Sequence, residues 1–113
     1  MIVHAPWLVK VITGNFAKAI TLYPFILIRN KEDVNNPILI NHEKIHLRQQ
    51  QELLIIIFYL WYLVDYVAGR TSGMSHYQAY RHIIFEQEAF DNETNLQYLK
   101  NRKRGAYRSY MSS

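Results

Sequence analysis

Apolar and polar positions alternate along the chain in blocks of different rhythm. From Ala19 to Asn30, "AITLYPFILIRN", aliphatic and aromatic residues crowd together and end in polar turn residues. Such a run predicts a β-strand, and Pro24 in its middle confines that strand to a sheet edge or a bent end. The polar "KEDVNN" that follows predicts a loop. Asn36 and Pro37 then supply an N-cap and a first-turn proline, a helix start signal. From Ile38 to Gly69 nothing breaks helical continuity, so the pattern predicts one helix of about thirty residues, roughly 45 Å long.

That helix has two halves. "ILINHEKIHLRQQQE" is amphipathic and polar, whereas "LLIIIFYLWYLV", Leu53 to Val64, is unbroken apolar and aromatic sequence. A bilayer span needs about twenty such residues, so the run is too short for one. Its most economical use is as a buried central helix. The alternative is an interfacial segment flanked by Tyr and Trp. "GRTSGMS", Gly69 to Ser75, predicts a turn, and His76 to Lys100 predicts a second helix long enough to lie back along the first. The expected architecture is one domain over residues 1–113, mainly α with a small N-terminal β element, an α+β fold.

Composition narrows the chemistry. Half the residues are apolar and 19% are charged, as in a folded globular chain. There is no cysteine, so a metal must be held by His and carboxylate. The tail of about 100–113, where Lys100, Arg102, Lys103, Arg104 and Arg108 meet no acid, supplies the whole of the net charge of +4. A solvated, frayed terminus is the plain reading of that tail; an anionic membrane surface or phosphates are its sharper ones. Sixteen aromatic residues, nine Tyr, five Phe and two Trp, fall mostly beside Ile and Leu, which assigns them to packing and makes nucleic acid an unexpected partner. The N-terminal stretch, interrupted by His4, Pro6 and Lys10, is a poor signal peptide, so a cytoplasmic location is expected, with the inner membrane face as a peripheral site.

His42, Glu43 and His46 form H-E-x-x-H on the polar half of the first helix. Residues four apart share a helix face about 6 Å apart, so both imidazoles can turn to one tetrahedral Zn²⁺. Glu43, about 100° round the helix, falls beside the metal, where it can act as general base toward water. Shuffled sequence of this composition makes the pattern on the order of 0.01 times per chain. A third protein ligand is needed, and the candidates lie in "FEQEAFDNE", Phe85 to Glu93, on the second helix.

In these two stretches the sequence resembles the gluzincins, HExxH metallopeptidases whose third ligand is a glutamate on a later helix, usually with Ala or Ser three residues on and often Asp at the fourth. The resemblance implies Glu86 as ligand, because Ala89 follows at the third position, with Glu88 as the runner-up. Phe90 stands at the fourth position, so Asp91, next along, is the expected partner of a zinc-binding His. The chain is also similar to small uncharacterised bacterial proteins with an H-E-x-x-H…Q-Q helix and a later A-Y-R…F-E-x-E-A stretch, here His42 to Gln50 and Ala79 to Ala89. The resemblance implies a minimal zincin-like fold, Zn²⁺ as cofactor, a peptide or protein substrate, and an edge strand, Ile20 to Ile28, that pairs with an extended substrate. Tyr80, His82, His76 and Arg81 are candidates for stabilising an oxyanion.

Three classes of function follow: a minimal zinc hydrolase, a non-catalytic metal-binding or scaffold protein, and a membrane-surface protein with a relic site. A further expectation is that Leu53 to Val64, if exposed, is covered by a partner copy or by a membrane surface.

Overall fold

The computed structural model describes residues 1–111. The elements run β1 (Ile2–His4), α1 (Pro6–Thr13), β2 (Ala19–Leu22), β3 (Phe25–Ile28), a 3-10 turn (Lys31–Asn35), α2 (Pro37–Leu53), α3 (Ile55–Thr71), α4 (His76–His82), α5 (Ile84–Asn92), α6 (Tyr98–Asn101) and a last 3-10 turn (Ala106–Tyr110). The α+β expectation holds: helices dominate, and one small sheet is built from the N-terminal third.

The run from Ala19 to Asn30 is a hairpin rather than one strand. Pro24 sits in the two-residue turn after Tyr23, joined to it by a cis peptide bond. There it removes no ladder hydrogen bond, which is why the sheet tolerates it. Strand order is β1-β3-β2, with β3 parallel to β1 and antiparallel to β2. The edge that faces the helices is therefore β2 alone. The N-terminal stretch adds an unforeseen strand and helix, α1 starting on Pro6 and stopping at left-handed Gly14.

Asn36 caps α2 as its sequence predicts, accepting from the backbone N–H groups of Ile38 and Leu39. The single long helix does not form. At Leu54 the backbone takes φ 65° and ψ 153°, and α3 leaves α2 at 112°. No glycine or proline announces this bend. Its reward is tertiary: α3 folds back so that Phe58, fully buried, packs with Ile83, Ile84, Phe85 and Tyr107. The second long helix breaks likewise, at Ile83 (φ −57°, ψ 130°), into α4 and α5. Asp65 of α3 accepts from the backbone N–H of Ile84 at 3.1 Å and so caps the start of α5. A capping box of Ser75 and Gln78 starts α4, and Gly69 lets α3 approach it: a Cβ there would stand 3.1 Å from that of Ala79.

The C-terminal segment is not a frayed tail over its described part. The Arg102 side chain is fully buried, paired with Glu88 and held by Glu52 at 2.8 and 3.1 Å. Tyr107 belongs to the core.

The two halves predicted as one helix reverse the usual distribution. Helix α2 buries Asn41, His42, Glu43, His46, Gln49 and Gln50. Helix α3 buries only Phe58 and Gly69, leaving Ile56, Leu60, Leu63 and Val64 more than half exposed. The buried-central-helix expectation for Leu53 to Val64 is thereby corrected. The α3–α4–α5 packing needs only one face of α3, and the other faces outward. Among the described residues no single helix is long and apolar enough to cross a membrane.

Candidate metal centre

Helix α2 places His42 and His46 one turn apart on its buried face, and α5, capped by Asp65, brings Glu86 against them. Nε2 of His42 and Nε2 of His46 lie 3.0 and 3.1 Å from Oε1 of Glu86. The three ligand atoms fall within 4.8 Å of one another, and all three residues are buried. The edge of a tetrahedral zinc site with such ligands is about 3.4 Å. The two histidine–Glu86 separations therefore need only a slight widening to match such an edge.

The protons argue for a cation at this point. Gln49 donates through Nε2 to the Phe85 carbonyl and to Glu88, which turns its amide oxygen to His46 Nδ1 at 2.7 Å. That oxygen only accepts, so Nδ1 carries the hydrogen. His46 Nε2 then faces the Glu86 carboxylate either as a bare lone pair, which the oxygen repels, or with a positive charge on or beside it. His42 is held in the same way, its Nδ1 donating to Glu93 at 2.6 Å. Both imidazoles thus offer Nε2 toward one point, the tautomer that metal ligation requires.

The charges follow. Burial disfavours imidazolium at His46, but the charge of Glu86 and its hydrogen bond outweigh that and push the pKa up to about 9. At His42 burial is likewise overcome by the hydrogen bond to Glu86, and the pKa is raised. Burial opposes the charge on Glu86, yet His46 and His42 hold its carboxyl well below the usual carboxylate range. A carboxylate buried this deeply and kept charged is suited to hold a cation. The other Glu86 oxygen accepts from the Tyr62 hydroxyl at 2.6 Å, which leaves Oε1 directed at the histidines.

Glu43 is buried one residue along and accepts from Thr21 Oγ1 of β2 at 2.8 Å. It shares with His46 and Glu86 a cleft of about 240 Å³ that opens between α1 and α3, walled by Ile12, Phe16, Tyr59, Tyr62 and Tyr80. Burial and then the Glu86 charge push the phenols of Tyr62 and Tyr80 up, so both remain hydroxyl donors. His76 also lines this cleft, its Nδ1 at 2.8 Å from the Tyr66 hydroxyl.

Beyond the cleft floor, β2 turns the peptide groups of Ala19 and Thr21 away from β3. This follows from the register, in which Arg29 donates to the Lys18 carbonyl and alternate residues bond inward. The Thr21 carbonyl is occupied by Gln50 and the Tyr59 hydroxyl. The edge expected along Ile20 to Ile28 is thus confined to β2, because β3 is bonded on both sides.

Four sequence candidates lie elsewhere. Glu88 is buried but committed to Arg102, Gln49 and Tyr98. Asp91 and His82 are exposed, and Arg81 stacks over Phe90 with its guanidinium carbon 3.8 Å from the ring centre. The place expected of Asp91 beside a histidine is taken by Glu93. Helical spacing carried that signal: Glu93 follows Glu86 by seven residues, two turns on the same face, as Gln49 follows His46 by three. Tyr62 was hidden by the unforeseen bend at Leu54.

No protein-family model, curated protein or solved structure matches this chain.

Proposed function

We propose that this protein is a zinc-dependent hydrolase whose substrate is a peptide bond, with His42, His46 and Glu86 holding Zn²⁺ and Glu43 as general base. The observation that carries the reading is the convergence of both Nε2 atoms on one Glu86 oxygen, beside a cleft lined by His46, Glu86 and a buried carboxylate not needed as a ligand. A bound Zn²⁺ supplies Lewis acidity and brings the pKa of water toward neutrality. Glu43, oriented by Thr21, accepts a proton from the attacking water as its oxygen adds to the carbonyl carbon, then returns it to the amine as the C–N bond breaks. Tyr80, held protonated beside Glu86, is the hydroxyl donor for the developing oxyanion, while Tyr62 spends its hydrogen on Glu86. The outward peptide groups of Ala19 and Thr21 suit an extended backbone laid along β2, and the occupied Thr21 carbonyl limits that pairing to a short stretch.

The test is metal content and hydrolysis of a peptide library by wild type, Glu43→Gln and His46→Ala. The expected result is one zinc per chain in wild type and Glu43→Gln, turnover in wild type alone, and neither in His46→Ala. Metal without turnover in wild type would leave a binding protein; equal turnover in Glu43→Gln would remove the general base.

A further inference from the structure

The feature that the metal centre does not use is the apolar surface on either side of its cleft. On α1, Trp7 is 71% and Val11 60% exposed, with Leu8 and Ile12 beside them one turn apart. On α3, Ile56, Leu60, Leu63, Val64 and Val67 cover the outward side for about three turns, about 17 Å at the helical rise. Leu63 falls about 40° further round the helix than Tyr59, a cleft-lining residue, so this outward side adjoins the cleft wall. Ile12 belongs both to the cleft and to the exposed face of α1. Soluble monomers rarely expose so much contiguous apolar area.

Charge identifies the occupant. Residues 1–30 carry Lys10, Lys18 and Arg29 with no acid. Helix α3 adds Arg70, and its one carboxylate, Asp65, is turned inward to Ile84. Helices α1 and α3 themselves hold Lys10 and Arg70 against one engaged acid, and Lys18 and Arg29 belong to the same acid-free first thirty residues. A second copy laid on these faces would bring like charges together, whereas an anionic lipid surface meets both the cations and the apolar rows. Trp7 has the amphipathic ring suited to the headgroup level.

We propose that the outward faces of α1 and α3 seat the protein in the interface of an anionic membrane, so that the cleft between them opens at the lipid surface. The binding is independent of the metal-site reading, because none of its residues is a ligand or Glu43.

The experiment is co-sedimentation of the full chain with vesicles of phosphatidylcholine alone and of phosphatidylcholine mixed with phosphatidylglycerol. Variants are Trp7→Ser, Leu60→Gln with Leu63→Gln, and His46→Ala, each checked for folding by circular dichroism. The expected result is sedimentation with the anionic vesicles, weakened by salt. Affinity falls about tenfold or more in the α3 double variant, falls also in Trp7→Ser, and is unchanged in His46→Ala. All substituted apolar residues are exposed, so the fold is retained. Two results overturn the proposal: no sedimentation with either vesicle, or sedimentation equal in the double variant. A dimer at micromolar concentration that the double variant dissociates, with no vesicle binding, assigns the face to a second copy instead.

Discussion

The amide oxygen of Gln49 stands 2.7 Å from Nδ1 of His46, on the same face of α2 and one turn further along. Because Gln49 is itself fixed by Phe85 and Glu88, it holds the imidazole in one tautomer with Nε2 aimed at Glu86. Replacing it with leucine should lower zinc affinity by about 10- to 100-fold while stoichiometry stays at one. The measurement is competition against a chromophoric chelator. Glu93→Ala should act similarly through His42, and Glu93→Gln, which keeps an acceptor oxygen, should act less. Equal affinity in all three variants would mean that these partners do not orient the ligands.

Protons and metal compete for the same lone pairs. In the metal-free protein the His46 pKa is raised from 6.5 to about 9, so its contribution to stability is complete below the unfolded value and is lost as pH rises through about 9. Glu86 has the opposite sign: its lowered pKa contributes above the ordinary carboxylate range and is lost as pH falls toward its folded value. The metal-free protein should therefore be most stable between the two. Its melting temperature should decline from pH 7 to 10, while that of the zinc-loaded form holds. Zinc affinity should fall steadily from pH 9 to 6, because binding displaces the proton on His46. Calorimetry in two buffers of different ionisation enthalpy would detect that proton.

Arg102 is the cation whose loss should cost the fold most. Its side chain is fully buried between Glu52 and Glu88, and burial, which disfavours the charge on Glu88, is outweighed by the hydrogen bonds from Arg102 and its neighbours. Arg102→Ala leaves those carboxylates without their partner and should destabilise by about 3–5 kcal/mol in urea unfolding. Because the Glu88 pKa is lowered, its contribution is present above the unfolded carboxylate value and disappears in acid. Arg102→Ala should flatten that acid limb; a limb as steep as that of wild type would assign it to Glu86 alone.

The triad that could hold a metal was legible because its signal is local. Two histidines at helical spacing and a glutamate on a later helix need only the correct helix type, and a capped start at Asn36 and Pro37 supplied it. The layout round them was not legible, because it depends on two bends without a marker residue. Leu54 and Ile83 are ordinary helix residues by propensity, and tertiary packing of Phe58 and Phe85 decides their backbone. For the same reason the tail reads as solvated: nothing near Arg102 in sequence reveals Glu52, fifty positions away, as its partner. The polar buried face of α2 and the apolar exposed face of α3 invert the pattern from which burial is inferred.

Leu54 is the residue at which this architecture can be tested directly. Its φ of 65° with ψ of 153° lies where side chains meet steric resistance and glycine does not, a cost of about 1–3 kcal/mol. The side chain is 66% exposed, so it returns little by burial. Leu54→Gly should therefore relieve the bend and raise stability by about 1 kcal/mol, the relief being partly offset by the greater freedom of glycine in the unfolded chain. Leu54→Val, β-branched at the same dihedrals, should lower it. The measurement is the urea midpoint of the three proteins. If α2 and α3 instead ran on as one helix, glycine in its interior would destabilise by about 1 kcal/mol relative to alanine. The sign of the Leu54→Gly change thus reports whether the chain bends here, and with it whether Tyr59 and Tyr62 reach the cleft beside His46 and Glu86.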